Sequence, residues 1–285
     1  MRPLIIGGPT AAGKSAAALR IAEAYGARII SADAMTVYRQ MDVGTAKPPP
    51  EVLAVHPHDA IDIRDPDEDF TVEDFADIVM THKAGPAPLV IVGGTPFYLA
   101  ALVRPLPPLP EGDPRVRARL ETLDDPYAAL VARDPPMARR LHPNDRVRVI
   151  RALEVIEISG ERMSTLQAAP PRRPPLDAEV VWLDREGLRE RIDRRLEMMI
   201  AAGYVEETEA LLNAGWSPSL KPMKSFSYRH MVEAVRGTLS LEEAIRRTAR
   251  DTWRLARKQR NWAKSMGWNP QNPHTVDAAA ARAFA

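Results

Sequence analysis

One octapeptide near the amino end constrains the fold more than any other feature. It reads Gly8-Pro9-Thr10-Ala11-Ala12-Gly13-Lys14-Ser15, a complete G-x-x-x-x-G-K-[ST] pattern. It follows the apolar run 4–6 and opens the alanine-rich, breaker-free segment 14–25, so we predict a strand, a loop and a helix in that order. The loop N–H groups, the helix N-terminus and Lys14 would attract two linked phosphates, and the Ser15 hydroxyl is placed to bind Mg²⁺. The pattern therefore predicts a diphosphate or triphosphate ligand.

The rest of the chain predicts an α/β protein. Further short apolar strands are expected at 28–31, 89–92 and 179–183, and helical segments alternate with them, as at 97–102. Such alternation favours a mostly parallel sheet flanked by helices, as in P-loop NTPases.

A helical insertion is predicted within this sheet. Proline-rich stretches at 104–114 and 170–175 read as linkers, and the strong segments between them are helical. We therefore expect a core of residues 1–104 and 176–285 and an all-helical insertion domain of residues 105–175. The core should end in helices near 186–202, 204–213 and 240–265.

Composition excludes several classes of function. The chain has no cysteine, so disulfides, thiolate metal sites and cysteine nucleophiles are ruled out. It has no uncharged apolar run near the roughly 18 residues of a membrane span, so we expect a soluble, cytoplasmic protein with no membrane partner. A monomer is the default expectation for its oligomeric state.

The charge is unevenly distributed along the chain. Residues 1–138 carry 13 Lys and Arg against 19 Asp and Glu, whereas residues 139–285 carry 26 against 19. A basic half is compatible with a polyanionic partner, and equally with ordinary solvated helices.

Polar residues follow two of the predicted strands. Asp33 comes just after strand 28–31, and Thr95 follows Gly93-Gly94 after strand 89–92. Ligands of α/β sheets bind at these carboxyl ends. Asp33 is a candidate magnesium ligand or general base, and each residue could instead cap the segment that follows it.

Five segments, in this order, resemble the tRNA dimethylallyltransferase (isopentenyl transferase) family. They are GPTAAGKS (8–15), SADAMTVYRQMDVGTAKP (31–48), VGGTPFYLAAL (92–102), HPNDRVRVIRALEV (142–155) and RERIDRRLEMMIAAGYVEE (189–207). The resemblance extends from residue 3 to about residue 264. The stretch MDVGTAKP (41–48) is the most diagnostic, because nucleotide kinases lack it.

The resemblance implies a reaction and roles for individual residues. The P-loop would hold dimethylallyl diphosphate with Mg²⁺ as cofactor, and the five-carbon group would pass to N6 of adenosine 37 beside the tRNA anticodon. Asp33 would act as general base, Thr95 would contact the adenosine, and Arg229 would join Lys14 in stabilising the departing diphosphate.

The resemblance also implies a tRNA-binding surface that grips the anticodon stem-loop. Residues assigned to it are Asp33, Ala34, Met35, Thr36, Thr95, Val147, Arg148, Arg151, Arg250, Arg254 and Lys258. Independently of the family, Arg246, Arg250, Arg254 and Lys258 recur every four residues, which places them on one face of a helix. A solvated basic face is the alternative to phosphate contact.

Several positions depart from the family pattern. Ala34 and Thr36 stand where the family has serine and glutamine, Pro96-Phe97 replaces glycine-leucine, and Val147 replaces a glutamine. These changes bear on tRNA contacts and leave the P-loop and Asp33 intact. The sequence leaves two other functions open: an ATP-dependent small-molecule kinase, and a non-catalytic RNA-binding regulator.

Overall fold

The computed structural model describes residues 1–285 and contains one six-stranded sheet in which all strands are parallel. The strand order is β3-β2-β4-β1-β5-β6. The strands are β1 (Leu4–Gly7), β2 (Arg28–Ser31), β3 (His58–Asp59), β4 (Leu89–Gly93), β5 (Glu179–Leu183) and β6 (Pro270–Gln271). The predicted α/β class is therefore confirmed, with β1 and β4 in the middle of the sheet.

Fourteen helices accompany the sheet. They are α1 (Lys14–Tyr25), α2 (Pro50–Val55), α3 (Val72–Lys83), α4 (Pro96–Val103), α5 (Pro114–Glu121), α6 (Pro126–Arg133), α7 (Pro135–Ala138), α8 (Arg146–Ser159), α9 (Met163–Leu166), α10 (Leu188–Ala201), α11 (Tyr204–Asn213), α12 (Arg229–Val235), α13 (Leu241–Met266) and α14 (Thr275–Phe284). No helix is both long enough and apolar enough to cross a membrane.

Both faces of the sheet are covered by apolar side chains. Leu4 and Ile6 of β1 point into a core shared with α1 and α14, whereas Ile5 points into a second core with α3 and α4. All three side chains are fully buried. Alternating burial on two faces explains why the strands read as uninterrupted apolar runs.

Several elements have no strong signal in the sequence. Helix α3 begins at a capping box, in which Thr71 and Asp74 satisfy each other's backbone N–H groups. Strands β3 and β6 have two residues each at the edges of the sheet, too short to show alternation. The short helices α2 and α12 and the terminal helix α14 are likewise absent from the predicted elements.

The chain divides into two compact units, Met1–Val103 with Leu176–Ala285, and Arg104–Pro175. The second unit contains helices α5 to α9 around an apolar cluster that includes Leu130, Val149 and Leu153. One of its two fully buried acids, Glu154, accepts hydrogen bonds from the guanidinium groups of Arg117 and Arg151. Burial alone would raise the pKa of Glu154, but these two arginines outweigh it and lower the pKa.

Candidate active site

Three loops meet at the carboxyl edge of the sheet because the strands before them are neighbours. Strand β4 lies between β1 and β2, with Gly7 paired to Gly93 and Ser31 paired to Val92. The loop after β1 is the P-loop, the loop after β2 carries Asp33, and β4 is followed by Gly94-Thr95. Parallel register thus brings the phosphate-binding pattern and both predicted polar residues to one place.

The P-loop ends at the first turn of α1. Lys14 is the first residue of the helix, and its Nζ donates to the carbonyl oxygen of Pro9 at 2.8 Å. Burial lowers the pKa of Lys14 to about 8; the positive charge of Arg195 also lowers it, and Asp33 acts in the opposite direction. A bound anion would favour the charged lysine, so this loop has the electrostatic character of an anion site.

The turn after β2 is held by two hydrogen bonds. Oδ1 of Asp33 accepts from the backbone N–H of Met35 at 2.9 Å, and Oγ1 of Thr95 accepts from the backbone N–H of Ala34 at 3.0 Å. Thr36 is buried, with its hydroxyl 3.0 Å from that of Ser31. Thr95 therefore supports the turn that presents Asp33, and its own hydroxyl proton stays available to a ligand.

One cavity is lined by both the P-loop and the turn that carries Asp33. Its lining includes Thr10, Lys14 and Ser15 of the P-loop, and Asp33, Met35 and Thr36 of the turn after β2. Apolar side chains complete the wall: Ile61, Val92, Ile192, Leu196, Met199, Tyr204, Phe226 and Leu255. Ala34 and Thr95 are outside this lining, although Ala34 belongs to the turn that carries Asp33 and Thr95 is hydrogen-bonded to that turn. The P-loop, the carboxylate of Asp33 and a set of apolar side chains thus line the same cavity.

The oxygen donors in this cavity fit Mg²⁺. The exposed hydroxyl of Ser15 and the carboxylate of Asp33 line it together, and both are hard ligands. The chain has no group of three or more His, Cys, Asp or Glu side chains arranged to hold a metal ion. Such a site suits Mg²⁺ that is shared with phosphates, because this ion is bound through few protein ligands in phosphate-transfer sites.

A second cation enters the cavity from α10. The guanidinium of Arg195 donates to Oγ1 of Thr10 at 3.2 Å and to the carbonyl oxygen of Ala46 at 3.4 Å. Sequence reasoning missed Arg195, although a signal was present. It lies three residues after Ile192 and one before Leu196, on the stripe of α10 that is otherwise apolar and buried.

Arg229 is paired with an acidic residue on α13. It is the first residue of α12, its guanidinium pairs with the carboxylate of Asp251 on α13, and it is not part of the cavity lining. Its guanidinium is held by Asp251 and makes no hydrogen bond to the P-loop, whereas the family resemblance implies contact with the departing diphosphate. The cation beside Lys14 is Arg195.

The diagnostic segment 41–48 forms another wall of the cavity. Glu207 of α11 accepts hydrogen bonds from the backbone N–H groups of Asp42, Val43 and Gly44 at 2.6–2.9 Å, and from the Tyr228 hydroxyl at 2.6 Å. A Cβ on Gly44 would lie 2.5 Å from ring atoms of Tyr204 and Tyr228, so only glycine fits. These contacts fix the backbone beside Thr45 and Ala46, which line the cavity.

Helix α13 presents the predicted basic face. Arg246, Arg250, Arg254 and Lys258 are all exposed, as their four-residue spacing indicated. Asp251 is only 6% exposed and pairs with Arg229, His230 and Arg254. Burial alone would raise the pKa of Asp251, but the hydrogen bonds from His230 and Arg229 outweigh it and hold the pKa well below its usual range.

The three predicted tRNA-binding residues of the insertion differ in their exposure and in their contacts within the second unit. Val147 is 82% exposed, and Arg148 is exposed and pairs with Asp145 at 2.9 Å. Arg151 is bound to Glu154 and to the carbonyl oxygen of Pro110. Val147 and Arg148 are therefore accessible at the surface, whereas Arg151 binds groups within its own unit.

Comparisons with known proteins agree with this geometry. The family model for IPP transferase matches residues 36–266, and that for isopentenyl transferase matches residues 1–57. A tRNA dimethylallyltransferase of Geobacter sulfurreducens is 44% identical over 91% of this chain and 88% of its own length. One of Syntrophobacter fumaroxidans is 43% identical over 92% and 80%.

Solved structures show the same fold. The tRNA isopentenylpyrophosphate transferase of Staphylococcus epidermidis aligns with a TM-score of 0.65 at 26% identity, covering 99% of this chain and 98% of that one. A eukaryotic dimethylallyltransferase captured acting on tRNA aligns with a TM-score of 0.77 at 25% identity, covering 92% and 69%. With the family model matching most of its length, the chain belongs to the IPP transferase family.

Proposed function

We propose that this chain transfers the dimethylallyl group of dimethylallyl diphosphate to N6 of adenosine 37 in the tRNA anticodon loop and releases diphosphate. One observation carries the proposal: Lys14 and Ser15 line the same cavity as the carboxylate of Asp33. This arrangement supports a reaction in which one cavity holds both the diphosphate leaving group and a general base for the nucleophile. Family membership and relatives called tRNA dimethylallyltransferase support the same conclusion.

Asp33 supplies the base that the nucleophile needs. The lone pair of adenine N6 is delocalised into the ring, so N6 attacks well only if its proton leaves as the N6–C1 bond forms. The carboxylate of Asp33 accepts that proton while the C1–O bond to diphosphate breaks. Its Oδ1 already accepts from Met35, which orients the group towards the cavity and leaves Oδ2 available.

Lys14 and Arg195 stabilise the leaving group. Negative charge develops on the bridging oxygen as the C1–O bond breaks, and fixed cations beside it lower the barrier. Arg195 contacts Thr10 within the P-loop, so we assign to it the role beside Lys14 that the family resemblance implies for Arg229. Mg²⁺, held by Ser15 and the phosphates, would supply further neutralisation of this charge.

The exposed cations of α13 are proposed to hold the RNA backbone. Arg250, Arg254 and Lys258 follow one face of the helix whose opposite face lines the cavity through Thr248 and Gln259. Anticodon-loop bases are single-stranded, so extruding one into a cavity costs only a few kcal/mol. We propose that Val147 and Arg148 contact the RNA as well, because they are the exposed residues among the three predicted tRNA-binding residues of the insertion.

The cavity needs residues of one chain only, which supports a monomer as the working form. We propose that this monomer acts in the cytoplasm, with tRNA and dimethylallyl diphosphate as its partners. Static light scattering with and without the stem-loop measures the oligomeric state, and a stable dimer would contradict the proposed monomer.

The test is transfer of label to RNA. Purified protein is given Mg²⁺, dimethylallyl diphosphate labelled in the prenyl group, and an anticodon stem-loop with adenosine at position 37. The matched control is the same stem-loop with inosine at 37, which lacks N6. We expect label in the adenosine stem-loop and none in the inosine one.

A parallel reaction replaces the prenyl donor by ATP labelled in its terminal phosphate. The proposed function predicts no phosphate release above the level without protein. ATP turnover without RNA labelling would support the kinase alternative, and RNA binding without either reaction would support the regulator.

A further inference from the structure

The side-chain amide of Gln259 joins two loops of the cavity. Gln259 lies on α13 and is only 3% exposed. Its Oε1 accepts from the backbone N–H of Thr10 at 3.0 Å, and its Nε2 donates to the carbonyl oxygen of Gly94 at 2.5 Å. One buried group therefore connects the P-loop to the turn that follows β4, across 249 and 165 residues of sequence.

The two hydrogen bonds require an amide. A carboxylate could accept from Thr10 but would place an oxygen against the carbonyl oxygen of Gly94, and an apolar side chain would satisfy neither group. The space is also closely packed, because a Cβ on Gly94 would lie 2.8 Å from Nε2 of Gln259. Glycine at 94 and glutamine at 259 therefore fit each other.

In the proposed reaction, the two connected loops serve different groups: the P-loop serves the diphosphate, and the loop after β4 serves the turn with the base. The P-loop, which also receives Arg195 at Thr10, faces the diphosphate. Gly94 directly precedes Thr95, whose hydroxyl holds the turn that carries Asp33. The separation of these loops therefore sets the distance between C1 of the prenyl donor and the base that serves N6.

We infer that Gln259 is a positioning residue that fixes the spacing between the diphosphate grip and the Thr95–Asp33 turn. The inference rests on the proposed function. Displacing reacting groups by about 1 Å can cost on the order of 10²-fold in rate. Loss of the amide therefore acts on the chemical step, with both substrates still bound.

The test compares Gln259→Met, which keeps the length of the side chain and removes both hydrogen bonds, with the wild type. Single-turnover transfer is measured at saturating donor and stem-loop, together with equilibrium binding of inorganic diphosphate and of the stem-loop, and each value is normalised to the folded fraction. We expect the transfer rate to fall at least tenfold while both affinities stay within threefold. Gln167→Met, in the insertion, is the matched control for the substitution itself.

A second pair of variants keeps the inference falsifiable if Gln259→Met folds poorly. Gly94→Ala introduces a Cβ that would clash with Nε2 of Gln259. Gln259→Ala removes that nitrogen. We expect each to slow transfer, and the double variant to be no slower than Gln259→Ala alone. A Gln259→Met rate within twofold of wild type, or fully additive losses in the pair, would overturn the inference. An inactive wild type would instead refute the proposed function.

Discussion

Lys14 and Arg195, 181 residues apart in the sequence, lie close enough at the P-loop for the guanidinium of Arg195 to add to burial in lowering the pKa of Lys14 to about 8. Two cations held this near each other repel in the absence of an anion. A bound diphosphate would relieve that repulsion, which supports the proposal that Arg195 belongs to the same anion site.

We predict that Arg195→Met weakens the binding of inorganic diphosphate by about 10- to 100-fold, the usual cost of one charged hydrogen-bond partner. Isothermal titration calorimetry in the presence of Mg²⁺ measures this. Arg229→Met serves as the comparison, because its guanidinium pairs with Asp251 outside the cavity lining, and it should change the affinity less than threefold. An equal loss in both variants would return Arg229 to the diphosphate site.

The core of the site could be predicted from the sequence because its signals are local. The pattern 8–15 specifies the strand, the loop and the helix together, and the structure has β1 and α1 where they were expected. Asp33 and Thr95 were identified by their position after apolar strands, and parallel pairing brought their loops together. The proline-rich stretches at 104–114 and 170–175 form the two ends of the second compact unit.

What the sequence did not reveal depends on contacts between distant segments. Arg195 and Gln259 stand in basic, polar stretches of α10 and α13, where such residues usually face solvent. Only the buried stripe of each helix distinguishes them, and for α13 that stripe contains Thr248, Asp251 and Gln259 among alanines. Arg229 was assigned by family position alone, and its partner Asp251 is 22 residues away.

Asp251 predicts a specific dependence of stability on pH. Its pKa is depressed in the folded protein, so its stabilising effect is complete above the ordinary value of about 4 and is lost as the pH falls below it towards the folded pKa. Removing the buried charge with Asp251→Asn should cost about 3–5 kcal/mol at pH 7. Denaturant unfolding from pH 7 to pH 3 should show this difference shrinking only below about pH 4. A difference that is constant over the whole range would contradict the assignment.

Glu207 should stabilise the wall formed by segment 41–48. Glu207→Gln replaces one acceptor oxygen by a donor facing N–H and O–H groups, so we expect a loss of about 1.5–3 kcal/mol in the free energy of unfolding. Glu206→Gln is the matched control on the preceding residue, which is exposed, and should change that free energy by less than about 0.5 kcal/mol. Equal losses for the two variants would show that the four hydrogen bonds to Glu207 contribute nothing specific.

The basic face of α13 predicts how RNA binding depends on salt. Each phosphate contact with single-stranded nucleic acid contributes a slope of about −0.7 in log K against log salt. Arg250→Ala and Lys258→Ala should each make the slope shallower by about this amount. Arg282→Ala, on the exposed face of α14, should leave the slope unchanged. Parallel salt curves for all three variants would favour a basic face that is merely solvated.

The central claim is that Asp33 removes the N6 proton while the P-loop holds the diphosphate, and Asp33→Asn tests it most directly. Asparagine keeps an Oδ1 that can accept from Met35, so the turn is preserved and only the base is lost. In a single turnover with donor and stem-loop both saturating, we predict a rate about 10²- to 10⁴-fold below wild type, with both affinities within threefold. Transfer by Asp33→Asn at nearly the wild-type rate would contradict the account.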